Sequence, residues 1–269
     1  MRSLDKYTSV FVLGMQEAME YRADAVLGLV SGCFTIFIQF FLWTAIYGGN
    51  DSAVLYGFTY PQMVVYIIMA GILTKVTTTD FEYEIADDIR EGSLNRFLVQ
   101  PIAYFPYRVF RFMGRKALHM IIIIAVSAIV LTSVHFTLGA EFAALNILLA
   151  FLVTPLALLL NCVMFYCVSA AAFWLTQAWG VFNGMFVVTM VLSGGIFPLD
   201  VFGESAQAVF RLLPFQYIVY FPLNIICGNA DGGDILFGIA AQLIWIIIMY
   251  ILSRLLWRTG MKRYIAAGG

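Results

Sequence analysis

Long apolar runs separated by short polar connections are the dominant pattern along this chain. Six runs without a charged residue are each close to the roughly 20 helical residues that cross a bilayer core about 30 Å thick. They cover residues 25–47, 54–74, 117–138, 142–170, 178–197 and 235–252. The runs do not alternate at every second residue, which favours helices over the strands of a membrane barrel. The pattern predicts an all-α polytopic membrane protein with six transmembrane helices.

Composition and charge agree with this prediction and orient the chain. Hydrophobic residues make up 62% of the chain and charged residues 12%, with a mean hydropathy of +0.90, whereas about a quarter of a typical soluble domain is charged. Basic residues in short loops mark the cytoplasmic side. Of the 15 lysines and arginines, 14 lie before the first run, between the second and third, or after the sixth. The distribution predicts that both termini are cytoplasmic.

The segment before the first run predicts an amphipathic helix. Apolar residues at helical spacing oppose polar ones, namely Leu4, Tyr7, Phe11, Met15 and Ala18 against Asp5, Ser9, Gln16 and Glu20. We expect this helix to lie in the inner headgroup layer, and a disordered lead-in is the alternative. Its mixture of acids and bases does not match a cleavable signal peptide. We therefore expect the first run itself to direct membrane insertion.

The loop between the second and third runs is the most polar part of the chain, with 13 charged residues between Lys75 and Lys116. Five of its carboxylates share one face of a predicted helix, namely Asp80, Glu84, Asp87, Asp88 and Glu91. Phe81, Ile85 and Ile89 line another face, and Gly92 is placed to end the helix in a left-handed conformation. A second short helix should follow and stop at Pro101. A solvated surface is the ordinary interpretation of such charges, and docking of a soluble partner is the functional one.

Beyond this loop, Arg108, Arg111 and Arg115 recur at helical spacing beside aromatic residues. This arrangement predicts a helix that meets anionic lipid headgroups.

Several sources of chemistry and energy are excluded or disfavoured. No G-x-x-x-x-G-K-[ST] sequence for binding ATP phosphates occurs, and no H-E-x-x-H, C-x-x-C or nucleophile-elbow motif is present. The four cysteines do not form a disulfide or metal-binding pattern. The six runs contain no Asp, Glu, Lys or Arg, although an ion-coupled carrier usually places such a residue within a span. Energy should therefore come from outside the membrane, with an ATP-independent carrier or channel whose loop binds a regulator, or a scaffold, as alternatives.

Two stretches resemble a known family. "IREGSLNRFLVQPI" and the Arg-rich segment after it resemble the coupling region of the six-span permeases of type-2 ABC exporters. "GGIFPLDVFGESAQAVFRLLPFQYIVYFPLNIICG" resembles the segment between spans five and six of that family. The chain departs from the family at Gln100, where a basic residue is common. The resemblance covers nearly the whole chain.

The resemblance implies a permease subunit in the inner membrane of a bacterium. It implies a coupling helix that docks on a separate ATPase subunit, which binds ATP and Mg²⁺, while this chain has no cofactor and no catalytic residue. The residues placed in this docking by motif position are Asp87, Asp88, Arg90, Glu91, Gly92, Leu94, Arg96 and Pro101. A second permease, identical or related, and membrane lipid are the other implied partners, and nucleic acid is not. Separately from the resemblance, the aromatic, neutral composition of the spans suits an amphipathic substrate, either lipid-like or a drug.

Within the spans, the polar residues Gln39, Asn161 and Asn183 are candidates for lining a pathway. Two glycine pairs at a spacing of four, Gly28 with Gly32 and Gly180 with Gly184, are candidates for close helix packing. The proline-broken segment 198–233 predicts short re-entrant or interfacial helices, which either gate release or cover the span ends.

We treat the chain as one transmembrane domain, 1–269. Its parts are an interfacial helix (1–24), spans one and two (25–75), a cytoplasmic coupling region (76–116), spans three to five (117–197), the outer segment (198–233), span six (234–256) and a cytoplasmic tail (257–269).

Overall fold

The computed structural model describes residues 3–20, 22–48, 53–100, 102–138 and 143–264. Its α-helices are α1 (Ser3–Glu20), α2 (Arg22–Tyr47), α3 (Tyr60–Thr77), α4 (Phe81–Arg90), α5 (Asn95–Leu98), α6 (Tyr104–Leu138), α7 (Ala144–Ser169), α8 (Trp179–Leu192), α9 (Glu204–Phe210), α10 (Tyr220–Cys227) and α11 (Gly232–Met261). Single turns of 3-10 helix cover Ala170–Phe173, Leu199–Phe202 and Phe215–Tyr217. One short antiparallel hairpin pairs β1 (Val54–Leu55) with β2 (Phe58–Thr59).

Four helical stretches of the described chain are long and apolar enough to cross a membrane. They are Val30–Tyr47, Tyr60–Arg90, Ala144–Phe173 and Gly232–Met261. Two parts of α6, Tyr104–Ala117 and His119–Ile129, are bent by 49° relative to each other and give a fifth span if they are counted as one. The prediction of an all-α polytopic membrane protein is confirmed. These lengths do not confirm the count of six spans, which stays a prediction.

The fifth predicted run is helical only in its first part, because α8 ends early. α8 has 14 residues, about 21 Å of helix at 1.5 Å per residue, which is less than a bilayer core of about 30 Å. Gly194 follows with a left-handed φ of +79°. Its carbonyl oxygen accepts a 2.7 Å hydrogen bond from the Tyr66 hydroxyl of α3. The glycine turn therefore ends α8, and α3 supplies a partner for a carbonyl that the turn leaves open.

The main hydrophobic core surrounds α3. Met63, Tyr66 and Ile67 of α3 are at most 1% exposed and belong to the same cluster as Leu160 of α7 and Leu223 of α10. Because α3 is apolar on every side, it needs neighbours all round, and α10 provides one of them by packing on both α3 and α7. The outer segment 198–233 therefore contributes to the core. Its re-entrant position in the membrane stays a prediction.

α1 packs along the first half of α6, and glycines bring the two backbones together. A Cβ atom on Gly14 would overlap the carbonyl oxygen of Arg111, and one on Gly114 would overlap that of Phe11. The predicted helix in the N-terminal segment is thus present, and its position in the headgroup layer stays a prediction.

The glycine pairs selected from the sequence do not make such contacts within the described chain. A Cβ atom on Gly28, Gly180 or Gly184 would have no neighbour within 4 Å, and one on Gly32 would meet the Lys75 side chain, with Cε at 2.9 Å. Packing of these glycines against another protein chain stays a prediction.

Candidate functional site

The polar loop folds back onto the bundle and starts with α4. Helix α3 ends before Thr78, and α4 begins at Phe81. α4 packs against α6, α7 and α8. Phe81, Ile85 and Ile89 are buried, and they form a second hydrophobic cluster with residues that include Phe112 of α6. The apolar face predicted for this helix is therefore its packing face, and α4 is attached to the membrane bundle along its length.

The predicted acidic face of α4 is divided between the protein interior and the surface. Arg108 of α6 is buried and donates hydrogen bonds to the carboxylates of Glu84 and Asp88. Asp88 is also buried, and it accepts a hydrogen bond from the Tyr104 hydroxyl and one from Ser93 Oγ at 2.7 Å. Two carboxylates on consecutive turns thus hold one guanidinium, which fixes α4 to the start of α6.

Arg115 extends this contact by donating to Glu84 and, at 3.1 Å, to Asp80. We call Glu84, Asp88, Tyr104, Arg108 and Arg115 the Arg108 cluster. Burial alone would raise the pKa of Asp88, but hydrogen bonds from Tyr104, Arg108 and Ser93 outweigh it and lower that pKa below its usual value. The carboxylate of Asp88 therefore stays charged at neutral pH and needs its arginine partner.

A second ion pair joins α1 to the same part of α6. Arg111 Nε and Nη2 donate to the carboxylate of Glu17 at 2.6 to 3.1 Å. Tyr7 stacks on Phe110 with 5.2 Å between ring centres. The three arginines of α6 are paired with carboxylates of the same chain, and their contact with lipid headgroups stays a prediction. The periodicity located the arginine face correctly, but it carried no information on what covers that face.

α4 ends in the predicted left-handed turn at Gly92, which we call the hinge. Gly92 has a left-handed φ of +73°, and the amide of Leu94 then donates to the Asp88 carbonyl oxygen at 3.1 Å. Leu94 is 1% exposed and belongs to the second hydrophobic cluster. It therefore does not lie on an open docking surface in this structure.

The other residues predicted to dock a partner are distributed around the hinge. Asp87, Arg90 and Glu91 have side chains that are 57%, 58% and 65% exposed, with Arg90 paired to Asp87 at 3.0 Å. Arg96 is also exposed, and Pro101 lies outside the described residues. Asp88 is buried and serves the Arg108 cluster. Four of the eight predicted residues thus form one exposed charged surface.

Val99 is a further exposed residue of this loop and was not identified from the sequence. Its side chain is 85% exposed, at the tip of the loop just after α5. The sequence did contain a signal for this exposure. Val99 falls outside the helical spacing of the apolar residues in the preceding short helix. We call Asp87, Arg90, Glu91, Arg96 and Val99 the docking tip.

Glu82 is a second residue whose environment the sequence did not reveal. It is 2% exposed, and its Oε2 atom has no hydrogen-bond partner in the described structure. Burial raises the pKa of Glu82 to about 7. An acid with a raised pKa holds its proton more tightly in the folded state than in the unfolded state. The free energy of unfolding should therefore fall as the pH rises from about 4.5 towards 7.

Replacing Glu82 with glutamine should remove this pH dependence. We expect Glu82→Gln to raise the free energy of unfolding by about 2 kcal/mol at pH 8, because the wild-type carboxyl must ionise while buried, and to leave it unchanged at pH 4.5. Thermal unfolding in detergent at both pH values measures this difference. The exposed Glu91→Gln is the control and should show no gain. An equal gain at both pH values would contradict the explanation.

The three pathway candidates lie on different helices, Gln39 on α2, Asn161 on α7 and Asn183 on α8. Gln39 and Asn161 are buried, and Asn161 Nδ2 donates to the Thr77 carbonyl oxygen at 2.8 Å. Asn183 Nδ2 donates to the carbonyl oxygen of Trp179 at 3.0 Å. Asn161 lines a small cavity of about 20 Å³. Their role in a pathway stays a prediction.

Among the residues searched, no group of three His, Cys, Asp or Glu side chains could hold a metal ion. The fold and this loop define a polytopic helical membrane protein whose charged helix α4 is fixed to the bundle by buried ion pairs. Residues 33–268 match the family model described as "ABC-2 family transporter protein". The chain therefore belongs to the ABC-2 transporter family and is an ABC-2 type permease, the membrane component of such a transporter. No curated protein matches the chain.

Proposed function

We propose that this chain is the membrane-spanning permease subunit of an ABC exporter. A separate ATPase subunit would bind ATP and Mg²⁺ and supply the energy, since this chain has no ATP-binding motif. The observation that carries the proposal is the architecture of the loop between α3 and α6. It carries exposed charged side chains and the strongly exposed Val99, while its inner face is fixed by the Arg108 cluster.

The docking tip has the composition of a protein interface. It combines four exposed charged side chains with the exposed apolar Val99, so that a partner could bury the valine and pair with the charges. Arg90 and Glu91 directly precede the hinge at Gly92. A closing ATPase would press on the end of α4 at this point.

Force on α4 would pass into the membrane through two sets of contacts. Arg108 joins α4 to α6, and the buried face of α4 packs on α7. Buried ion pairs and packed apolar contacts resist deformation, so that α4 and the adjoining ends of α6 and α7 should move together. Such rigid-body motion would switch access to a pathway between alternate sides.

The remaining features of the proposal follow from charge and exposure. Both termini would be cytoplasmic in a bacterial inner membrane, with six spans. Five would be formed by α2, α3, α6, α7 and α11, and the fifth in chain order by α8 together with the turn at 193–197 that extends it. Exposed apolar residues on α8, including Trp179 and Val187, and the open Gly180 and Gly184 are available to a second permease or to lipid. An amphipathic substrate, either lipid-like or a drug, suits apolar spans without charged residues.

The proposal is tested by co-purification with the ATPase subunit, sought first among the products of neighbouring genes. We expect the wild-type chain to retain the ATPase, and the double variant Glu91→Arg with Val99→Asp to recover at least tenfold less of it, because exposed interface anchors contribute about 1–2 kcal/mol each. Both residues are exposed, so the variant should keep the wild-type melting temperature.

The matched control places the same substitutions on α9, as Glu204→Arg with Val209→Asp. Glu204 and Val209 are also exposed, but they lie on the opposite side in the proposed topology, and this variant should retain the ATPase. Substrate movement by the purified chain in liposomes without any ATPase would instead support the ATP-independent carrier.

A further inference from the structure

A cavity of about 960 Å³ lies beside the Arg108 cluster. Its lining comes from α1, α2, the junction between α3 and α4, and α6. Lys75 stands in the last turn of α3, and Lys116 directly precedes the apolar run of α6 at 117–138. In the proposed topology, both lysines lie at the cytoplasmic ends of spans, at the level of the inner headgroups.

The acidic side chains that line this cavity are mostly occupied by arginine. Glu17 is bound by Arg111, and Asp80 and Glu84 are bound by Arg115. These carboxylates are therefore not free to neutralise further cations. Glu20 also lines the cavity, and it is an exposed residue at the end of α1.

The two lysines have no carboxylate partner in the described chain. Lys75 makes no hydrogen bond or ion pair there. Lys116 Nζ donates to the Thr78 carbonyl oxygen and lies 5.0 Å from the centre of the Phe112 ring. Asp80 and Glu82 influence Lys116 electrostatically, but neither forms an ion pair with it within 4 Å. Lys116 is partly buried and Lys75 is exposed. A partly buried ammonium without a counter-charge is costly, and Lys75 adds a second cation without a carboxylate partner, so this cavity favours an anion.

Two glycines of α2 give this cavity its space. Gly32 leaves room for the stem of Lys75, since a Cβ atom there would lie 2.9 Å from Lys75 Cε. Gly28 lines the cavity one turn earlier, and a Cβ atom on it would meet nothing within 4 Å. In the described structure, one glycine of this pair thus lines the cavity and the other makes room for Lys75. Phe112 and Ile123 add an apolar wall next to the cations.

We propose that the cavity lined by Lys75 and Lys116 binds the phosphate-bearing headgroup of an anionic phospholipid from the inner leaflet. The two ammonium groups contact the phosphate, and the apolar wall takes the first methylenes of an acyl chain. His119, whose Nδ1 lies 3.4 Å from the Arg115 carbonyl oxygen, also lines the cavity. This inference rests on the proposed topology and is independent of whether the lipid is transported.

Native mass spectrometry of the full chain in detergent tests the proposal with phosphatidylglycerol and phosphatidylcholine. We expect the wild type to bind phosphatidylglycerol at least tenfold more tightly, and Lys75→Gln with Lys116→Gln to reduce this preference below twofold. Glutamine at 116 can still donate to the Thr78 carbonyl oxygen. Because the ATPase is absent from the experiment, its result is separate from the docking test.

Two further variants separate a defined site from general attraction. Lys262→Gln with Arg263→Gln removes the same charge from exposed positions at the end of α11 and should keep the full preference. Gly28→Leu fills the cavity without changing charge and should weaken phosphatidylglycerol binding at least fivefold.

Retention of the preference by the double lysine variant, or an equal loss in the tail variant, would overturn the proposal. Displacement of the lipid by millimolar inorganic phosphate would overturn the lipid assignment in favour of a free-anion site.

Discussion

Replacing Arg108 with methionine is expected to lower the free energy of unfolding by about 3–5 kcal/mol, because it leaves Glu84 and Asp88 without their buried cation. Methionine keeps much of the side-chain length, so the loss measures the charge and its hydrogen bonds more than the volume. Thermal and denaturant unfolding in detergent measure the effect. If the ion pairs transmit force as proposed, ATPase activity in the complex should also lose its dependence on substrate.

The control for this prediction is Arg90→Met. Arg90 also pairs with a carboxylate of α4, Asp87, but both side chains are more than half exposed, and exposed pairs contribute about 1 kcal/mol or less. Adding Asp88→Asn to Arg108→Met should restore part of the lost stability, since one of the two unpaired charges is then removed. Unchanged unfolding of Arg108→Met would show that the cluster does not hold α4 on α6.

The sequence predicted features that depend on neighbouring residues along one element. Apolar runs identified the membrane-crossing helices, the spacing of Phe81, Ile85 and Ile89 gave the buried face of α4, and Gly92 gave the left-handed turn. Each of these depends on local periodicity or on backbone conformation, which a single segment encodes.

The sequence did not predict features that depend on residues far apart in the chain. The pairing of Arg108 with Glu84 and Asp88 joins positions 24 and 20 residues apart. The spacing of arginines along a helix is the same whether lipid or protein covers that face, so the spacing alone does not identify the partner. The early end of α8 depends on Gly194 and on the hydroxyl of Tyr66, 128 residues away. The contact between Gly14 and Gly114 could not be predicted for a related reason. Each helix contributes a single glycine, so neither helix contains a pair of glycines at a recognisable spacing.

Gly114→Ala is expected to destabilise the protein by about 3 kcal/mol by separating α1 from α6. Alanine is favoured over glycine in a helix by about 1 kcal/mol, so helix propensity alone predicts the opposite sign. The new Cβ would overlap the Phe11 carbonyl oxygen and would lie 3.1 Å from Gly14 Cα. A flexible side chain could move away from such an overlap, but two helix backbones can relieve it only by moving apart.

Hydrogen–deuterium exchange locates this effect along the chain. Separation of α1 should speed exchange within Ser3–Glu20 and weaken the contact between Arg111 and Glu17, while exchange in α11 stays unchanged. Gly232→Ala is the matched control, because Gly232 begins α11 and a Cβ atom there meets nothing within 4 Å. That variant should be neutral or slightly more stable than the wild type. Protection of α1 equal to the wild type in Gly114→Ala would mean that the helices do not meet through these glycines.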